Sequence, residues 1–470
     1  MIRRILCALT LLIPVLVIAT TTAQPALADT ESGAASTAVS RLLADWNGTT
    51  FSVGDGESCP QINEGGNCWW WAANAWMALI SYAEENPGSA DASTIANDLS
   101  ATYTGICGQW QAYQWGQCPT TADQSGKDPF TINTNGNTYF DDIGWWDQMW
   151  INAYKLTHNA DYLYLAEELW NYVTVNGYAW DTNSNNNNPC GGIVQFHQVS
   201  DPTKAEIGGE DAYANALYLR NSAWLYSITG DSEYMTGSGG VGGAIYAASW
   251  IRSNLIYKYG GPAMGTPGAQ FMIADHASYD PTTQTCSAAG DQSWLQSQGE
   301  MVNAWTDMYA ACLAYSQCSA APAYYNNLAD ELALTVVSDK LTSAGTWPDE
   351  QYSGQAEPTV DLNGILSEPC KPTSGNTWPR GCPVGTSLSD YQPYLISKGI
   401  FERAIYCSNH NFNDSVLTSF AALNAGSLAG LPNFGFLWDS QEANAPVIFP
   451  TQASVLDGLD ADLGGSYAMC

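Results

Sequence analysis

The chain has 470 residues, and its 46 acidic side chains against 14 basic ones give a formal net charge of −32. Phosphate backbones and anionic membranes would repel such a chain, which excludes nucleic acid and anionic membrane surfaces as partners and favours a neutral one. Aromatic residues make up 12% of the chain, including 19 Trp. Because aromatic rings stack on the apolar C–H faces of sugars, the composition favours a neutral polysaccharide as the ligand.

Residues 1–28 are typical of a signal peptide. Two arginines precede an apolar run that ends near Ala19, and Ala26-Leu27-Ala28 has the small residues of a cleavage site. A membrane anchor is the weaker alternative, because the apolar run is short for a bilayer span. We expect a secreted, extracellular protein that has no membrane partner after processing. Residues 29–39 are rich in Ser, Ala and Gly, which predicts a loose segment.

The cysteines predict disulfides. Of the 13 Cys, Cys7 lies in the signal peptide, which leaves an even number in a chain bound for an oxidising compartment. Sequence cannot fix the pairing, although Cys107–Cys118, Cys312–Cys318 and Cys370–Cys382 are close enough in sequence to be the first pairs to test. Metal binding is the poorer interpretation, because the chain has no CxxC or HExxH motif and only 4 His. We expect neither a metal nor another cofactor.

Residues 40–470 predict one all-α domain. Apolar residues recur at helical spacing between loops rich in Gly, Asn and Pro, and no interdomain linker interrupts them. A weak repeat, with copies that begin at Ile151, Ser222 and Met308, predicts helical hairpins about 70 to 90 residues apart. The β signal is minor and falls on residues 191–198. The expected architecture is a toroid of inner and outer helices, and we expect a monomer.

Asp141 and Asp142 are the main catalytic candidates. They stand at a predicted helix start, and an aromatic run that includes Trp145 and Trp146 follows them. Glycoside cleavage needs one carboxylic acid to protonate the leaving oxygen and one carboxylate to act at the anomeric carbon. Neighbouring carboxyls suit that task, because ionisation of one raises the pKa of the other. The alternative role is helix capping, which accounts for only one of the two.

Other residue types suit a sugar-binding cleft. Aromatic side chains that either stack on sugars or pack between helices are Trp69, Trp71, Trp145, Trp146, Phe196 and Trp294. Amides that either bond sugar hydroxyls or cap helix ends are Gln195, Asn215 and Gln298. Lys398 and Arg403 are scarce cations, and for Arg403 we expect an ion pair. The acidic pairs Glu210-Asp211 and Asp349-Glu350 are predicted to be solvated surface, and Asp181-x-Asn183-x-Asn185 lacks the Gly and Glu of a calcium loop.

Five segments together resemble glycoside hydrolase family 76, the endo-α-1,6-mannanases, with their related fungal cell-wall proteins. They span nearly the whole mature chain and are Asn67-Cys68-Trp69-Trp70-Trp71, Asp141-Asp142-x-x-Trp145-Trp146, Trp180-Asp181 through Cys190-Gly191-Gly192-Ile193, Gln298-Gly299, and Ser397-Lys398-Gly399-Ile400-Phe401-Glu402-Arg403. The resemblance implies an (α/α)6 barrel and a retaining α-1,6-mannanase. It implies Asp141 as the nucleophile and Asp142 as the general acid/base. It also places Lys398 on a late helix, where we expect it to contact the substrate.

The resemblance leaves other functions open. This chain departs from the family pattern at Ile193, Ser297 and Ala214, which all lie in the expected cleft wall. The alternatives are a transglycosidase, a hydrolase of another α-glycan linkage, and a non-catalytic mannan-binding protein. A retaining enzyme needs carboxyl groups about 5–5.5 Å apart. For adjacent residues we expect that spacing to require an irregular, non-helical backbone at Asp141 and Asp142.

Overall fold

A computed structural model describes most of the chain. The described residues are 24–48, 51–53, 57–58, 69–112, 137–177, 190–198, 210–237, 242–280, 282–289, 294–338, 359–360, 365–367, 397–412, 414–431 and 449–463. Within them, no helix is long and apolar enough to cross a membrane.

The described helices alternate along the chain between an inner and an outer layer. The inner helices are α2 (Trp69–Glu85), α4 (Phe140–Thr157), α6 (Ala212–Thr229), α9 (Leu295–Ala314), α11 (Ser397–Phe412) and α13 (Phe449–Leu463). The outer helices are α1 (Gln24–Asp45), α3 (Ala90–Ala112), α5 (Ala160–Asn176), the short α7 (Glu233–Thr236) with α8 (Ala244–Asn254), α10 (Pro322–Ser338) and α12 (Ser415–Ala429).

The inner helices form a closed ring. Each packs against the next in the order α2, α4, α6, α9, α11 and α13, and α13 packs back against α2. The outer helices cover this ring: α3 packs on α2, α5 on α4, α8 on α6, α10 on α9, α12 on α11 and α13, and α1 on α13. The predicted all-α toroid is confirmed, and its six inner and six outer helices make an (α/α)6 barrel.

Burial distinguishes the two layers. Every residue of α6 from Ala212 to Leu225 is buried, as expected for a helix with neighbours on all sides. The outer helix α10 instead buries a stripe at Tyr325, Leu328 and Leu332, three and four residues apart. The predicted helical hairpins are also present, since α4 with α5, α6 with α7, and α9 with α10 are joined by short turns.

The expectation of a loose segment at residues 29–39 is wrong. These residues belong to α1, in which Ala35, Ala38, Val39 and Leu42 are fully buried. Their spacing gives one apolar stripe, and their small side chains allow α1 to lie close to α13. The predicted cleavage point after Ala28 therefore falls in the first turns of α1, and residues 1–23 lie outside the described ranges.

The strands are short and connect the helices. They are β1 (Ser52–Val53), β2 (Glu57–Ser58), β3 (Asn137–Tyr139), β4 (Phe196–Gln198), β5 (Glu210–Asp211), β6 (Ile256–Gly260), β7 (Gln270–Ile273), β8 (His276–Asp280), β9 (Thr285–Ala289), β10 (Thr359–Val360) and β11 (Leu366–Ser367). Sequence analysis predicted β4 within residues 191–198 and missed the others. Two pairings matter for the site: β3 with β4, and the sheet β5-β8-β9.

The inner helices run parallel, so their N-terminal ends share one mouth of the barrel. A Cβ atom on Gly144, in the second turn of α4, would meet Leu217 in the second turn of α6. One on Gly299 of α9 would meet the backbone of Phe401 in α11 at 2.7 Å. These contacts join residues at matching levels of neighbouring helices, which only parallel helices provide.

Two disulfides are described in full. Cys312–Cys318 confirms one of the three predicted pairs. Cys190–Cys286 joins residues 96 positions apart, which no spacing argument identified. Cys407 is also disulfide-bonded. The predicted pairs Cys107–Cys118 and Cys370–Cys382 lie outside the described side chains.

Candidate active site

The acid pair lies in the first turn of α4. Tyr139 is the extended N-cap residue and makes no side-chain cap, and the backbone N–H of Asp142 donates to Oδ1 of Asp141 at 2.9 Å. The expected non-helical backbone is therefore wrong. Adjacent helical residues already point about 100° apart, because a turn holds 3.6 residues. The helix dipole at this end also favours negative charge.

A loop braces the pair from one side. The backbone N–H of Phe140 donates to the carbonyl of Gln195 at 2.8 Å, and β3 continues this contact by pairing with β4. The Gln195 amide donates a hydrogen bond to the Asp141 carboxylate. Of the predicted substrate amides, Gln195 is thus the one that the structure places at the acid pair.

The environment separates the two carboxyls electrostatically. Burial raises the pKa of Asp141 to about 6 and the charge of Asp275 adds to the rise, while hydrogen bonds from Asp142 N–H and Gln195 oppose it. Burial and then the charge of Asp141 raise the pKa of Asp142 well above its ordinary value. Because donors stabilise the Asp141 anion, Asp142 keeps its proton to the higher pH. Both residues remain partly exposed, so a ligand can reach this part of the barrel mouth, which we call the recess.

A third carboxyl, Asp211, is buried close enough to Asp141 to interact with its charge. It was predicted to be solvated surface, yet it is only 5% exposed and caps α6 through a bond from the Tyr213 N–H. Burial and the charges of Asp141 and Asp275 raise its pKa well above the ordinary value. The surface expectation is wrong for Asp211, because strand β8 covers it, with His276 directly opposite. The pair Asp349-Glu350 and the segment at Asp181 lie outside the described residues.

Asn215 and Gln298 bind backbone rather than sugar. Asn215 accepts from Ile193 N–H at 2.9 Å and donates to the carbonyls of Ile193 and Asp211. Gln298 makes the same clasp on Ile273, accepting from its N–H at 2.9 Å and donating to its carbonyl at 2.8 Å. Their prediction as substrate amides is wrong, because both are fully buried and their polar atoms are engaged. They fix the loops that carry Gln195 and Asp275.

Several predicted sugar platforms are core residues. Trp71, Trp145 and Trp146 are at most 3% exposed, which leaves no open ring face for a sugar. Trp146 packs on Trp150 towards the outer helices. Sequence analysis missed the partly exposed Trp70, whose ring stacks on Trp145 with centroids 6.2 Å apart. Trp70 stands between Trp69 and Trp71, and this position was the sequence signal that could have identified it.

The remaining predicted substrate residues occupy the same mouth. Trp294 is the partly exposed N-cap residue of α9, and Lys398 lies buried in the first turn of α11. The backbones of Trp69 and Phe196 begin α2 and β4, but their side chains lie outside the described part of the structure.

Two buried polar networks hold the ring together below the recess. Arg220 of α6 bonds Asp307 at 2.8 Å and Glu300 at 3.2 Å, and Gln148 of α4 donates to Glu300 at 2.7 Å. The second network confirms the ion pair expected for Arg403. This residue of α11 lies 3.7 Å from Asp457 of α13 and donates to Asn74 of α2 at 2.8 Å. The first network joins α4, α6 and α9, and the second joins α2, α11 and α13, so each inner helix belongs to one network.

Solved structures share this architecture. An inactive α-1,6-mannanase variant from Salegentibacter sp. HEL1_6, with two consecutive aspartates replaced and α-1,6-mannotetrose bound, is 16% identical, with a TM-score of 0.58 over 93% of this chain and 98% of that one. The family 76 mannosidase Bt3792 from Bacteroides thetaiotaomicron is 11% identical, with a TM-score of 0.57 over 93% and 97%. Dfg5 from Chaetomium thermophilum, in complex with glucosamine, is 13% identical, with a TM-score of 0.55 over 93% and 90%.

The chain has the fold of glycoside hydrolase family 76. Neither protein-family models nor curated sequences match it. The family 76 fold is therefore established by the shape of the barrel.

Proposed function

We propose that this protein is a secreted, retaining glycoside hydrolase that cuts α-1,6-linked mannan at internal linkages. The observation that carries the proposal is the adjacent pair Asp141 and Asp142, which is partly exposed in the first turn of α4. Hydrogen bonds lower the pKa of Asp141, while the charge of Asp141 raises the pKa of Asp142, which suits one carboxylate and one acid. The signal-peptide pattern and the disulfides support secretion. The bound mannotetrose and the replaced aspartate pair of the Salegentibacter enzyme support the substrate class and the site.

The mechanism assigns a different task to each carboxyl. Asp142 donates its proton to the glycosidic oxygen, so that the leaving sugar departs as a neutral alcohol. The Asp141 carboxylate attacks the anomeric carbon and forms a covalent glycosyl ester. Asp142, now ionised, removes a proton from water, whose oxygen displaces Asp141 from that carbon. Two inversions retain the configuration, and both carboxyls return to their starting states.

The rest of the mouth offers surfaces for the polysaccharide. Trp70 and Trp294 expose part of their rings, which suits stacking on the apolar faces of mannose. We include Trp69 and Phe196 in the proposed binding surface because their backbones lie at the same mouth. Lys398 is as buried as Trp71, so we leave it out of that surface. The large negative charge of the chain is compatible with a neutral glycan and repels a polyanionic one.

The test measures reducing ends released from unbranched α-1,6-mannan by the wild type, Asp141→Asn and Asp142→Asn, with the products sized by chromatography. We expect a ladder of short oligosaccharides from the wild type and a loss of at least about a hundredfold in each variant. The matched control is Asp161→Asn, because Asp161 lies in the first turn of the outer helix α5. Full activity in either catalytic variant with an intact fold would refute the assignment.

The same assay separates hydrolysis from sugar transfer. The glycosyl ester can react with a sugar hydroxyl in place of water, and the Dfg5 structure holds an amino sugar. Products longer than the starting oligosaccharide, formed in excess acceptor, would identify a transglycosidase. Binding of mannan without any product would instead identify a non-catalytic binding protein.

A further inference from the structure

The disulfide Cys190–Cys286 joins two segments that lie beside the acid pair. Cys190 begins the loop that carries Gln195, whose amide donates to the Asp141 carboxylate. Cys286 lies in β9 of the β8-β9 hairpin. That hairpin begins directly after Asp275, whose charge acts on the same carboxylate. The disulfide therefore connects two segments that both interact with Asp141.

The Gln195 loop (residues 190–195) is attached to the barrel by bonds that do not involve the disulfide. The carbonyl of Gln195 accepts from the Phe140 N–H at 2.8 Å. The Asn215 side chain bonds both the N–H and the carbonyl of Ile193 at 2.9 Å. These contacts come from α4 and α6, so the position of the Gln195 amide is fixed from within the ring of inner helices.

The start of the Gln195 loop rests on the outer helix α8. The carbonyl of Cys190 accepts from Trp250 Nε1 at 2.8 Å. Gly192 has a φ of 84°, and a Cβ atom there would lie 2.5 Å from the Trp250 ring, so the backbone passes directly over that ring. Strand β9 also packs against α8. Cys286 is thus bonded to a loop start that is already held in place.

The β8-β9 hairpin has fewer backbone attachments to the barrel. Strand β8 pairs with β5 at two positions, His276 and Ala277, which lie at the base of the hairpin. Strand β9 pairs with β8, and its other edge has no strand partner among the described residues. An isolated two-stranded hairpin is at best marginally stable in water. Cys286 lies opposite Tyr279, next to the pair that closes the turn, so the disulfide holds the outer end of the hairpin.

We propose that the Cys190–Cys286 disulfide positions the β8-β9 hairpin as a wall of the recess, by attaching its outer end to the fixed start of the Gln195 loop. The inference rests on the proposed function and adds two positioning residues to its site. Asp275 and His276 are partly exposed at the base of this wall, and a hairpin held at both ends keeps them at a constant distance from Asp141. A polysaccharide then binds without first having to order the hairpin.

The double variant Cys190→Ser/Cys286→Ser tests this role on α-1,6-mannan. We expect KM to rise about three- to tenfold and kcat to stay within about twofold, because the acid pair keeps its contacts on α4 while the wall becomes mobile. The matched control is Cys312→Ser/Cys318→Ser, whose disulfide closes the turn after α9 at the opposite end of the barrel. It should keep both constants. Rates are compared at a temperature at which both variants are folded, because the disulfide that closes the longer loop also stabilises the fold more.

Reduction of the folded wild type repeats the test without a substitution. Cys190 and Cys286 are partly exposed, so dithiothreitol can reach their disulfide. Each molecule of dithiothreitol transfers two electrons and two protons, which leaves two protein thiols and one cyclic disulfide. KM should rise as in the double variant and recover after reoxidation, and mass spectrometry of alkylated cysteines identifies the reduced pair.

The pH profile distinguishes positioning from a general loss of stability. The groups around the Asp141 carboxylate are Asp142, the Gln195 amide, the buried Asp211, and Asp275 with its partner His276. Burial and the charge of Asp275 raise the pKa of Asp141 to about 6. A released hairpin admits water and lets Asp275 move away, while Gln195 stays in place. The acid limb of kcat/KM should therefore move to lower pH in Cys190→Ser/Cys286→Ser and stay in place in the control. An unmoved limb, or one displaced to higher pH, would overturn the proposal.

Hydrogen–deuterium exchange tests the wall without any substrate. The amides of β8 and β9 should exchange at least about tenfold faster in Cys190→Ser/Cys286→Ser, and those of α4 should keep the wild-type rate. Unchanged exchange in the hairpin would overturn the inference, as would faster exchange with an unchanged KM. A loss confined to kcat would assign the disulfide to the acid pair and would also overturn it. If the wild type leaves α-1,6-mannan uncut, the proposed function has failed, and the exchange rates alone decide whether the disulfide fixes the hairpin.

Discussion

Replacement of Gln195 by Met tests how the recess keeps Asp141 ionised. The Gln195 amide donates to the Asp141 carboxylate and opposes the rise in pKa that burial causes. Met has a similar length and no donor, so the change removes the bond with little change in volume. The backbone carbonyl of Gln195 still receives the N–H of Phe140, which keeps the loop attached to α4.

The size of the effect follows from the energy of one bond. A hydrogen bond to a charged group contributes about 1.5–3 kcal/mol, and one pKa unit corresponds to about 1.4 kcal/mol. Because Asp141 is partly exposed, water replaces part of the lost bond, and we take the lower end of that range. The pKa of Asp141 should then rise from about 6 to roughly 7. The nucleophile must be ionised, so activity should fail at a higher pH as the solution is acidified.

The assay is kcat/KM as a function of pH for the wild type, Gln195→Met and Gln195→Glu. The acid limb should move up by about one unit in Gln195→Met. It should move further in Gln195→Glu, which adds a negative charge next to Asp141. An unmoved limb, or one displaced to lower pH, would refute the role assigned to Gln195 and weaken the choice of Asp141 as the ionised partner.

Three further predictions concern stability. Asn215→Ala should lower the free energy of unfolding by about 2–4 kcal/mol and move the acid limb of the kcat/KM profile to higher pH. Asn424→Ala, which breaks a similar amide–backbone contact with Leu366, should lower the free energy of unfolding alone. Denaturant unfolding and pH profiles compare the two variants. Gly299→Ala should lower the free energy of unfolding by at least about 1–3 kcal/mol through its clash with α11. Gly33→Ala meets no atom within 4 Å and should instead raise it by up to about 1 kcal/mol, because Ala favours the helix; melting curves compare the two. Burial raises the pKa of Asp457 to about 6, so the folded state binds its proton more tightly than the unfolded chain. That stabilisation is lost as pH rises through about 6, and Asp457→Asn should flatten this fall in urea titrations between pH 4 and 7.

The barrel and the position of the acid pair at a helix start could be predicted because their signals are local. Asp141 and Asp142 are adjacent in sequence, and helical periodicity repeats along the chain. The partners of Asn215 and Gln298 lie 22 and 25 residues away, so no local pattern shows that these amides bind backbone instead of sugar. Both were correctly predicted to form hydrogen bonds through their amides, but their partner is the backbone and not a sugar.

Asp211 illustrates the opposite error. Its polar, Gly-flanked sequence is typical of surface, and only the pairing of β5 with β8, more than sixty positions further along, covers it. Trp146 was likewise given a sugar-binding role because it follows the acid pair, yet its position on α4 directs it towards the outer helices. Sequence reveals which residues are near in the chain, whereas burial depends on distant elements.

The glycine contacts between inner helices have a consequence for the whole circle. At Gly144, Gly299 and Gly399, neighbouring helices approach so closely that a methyl group would press on the next helix. An open row of stacked helices could accommodate such a displacement at its free end, but a closed ring of helices has no free end. If one pair of neighbouring inner helices is forced apart, other inner helices must move to keep the ring closed. The width of the recess around Asp141 is thus set by the circumference of the barrel, and substitutions on its far side can alter how a sugar fits.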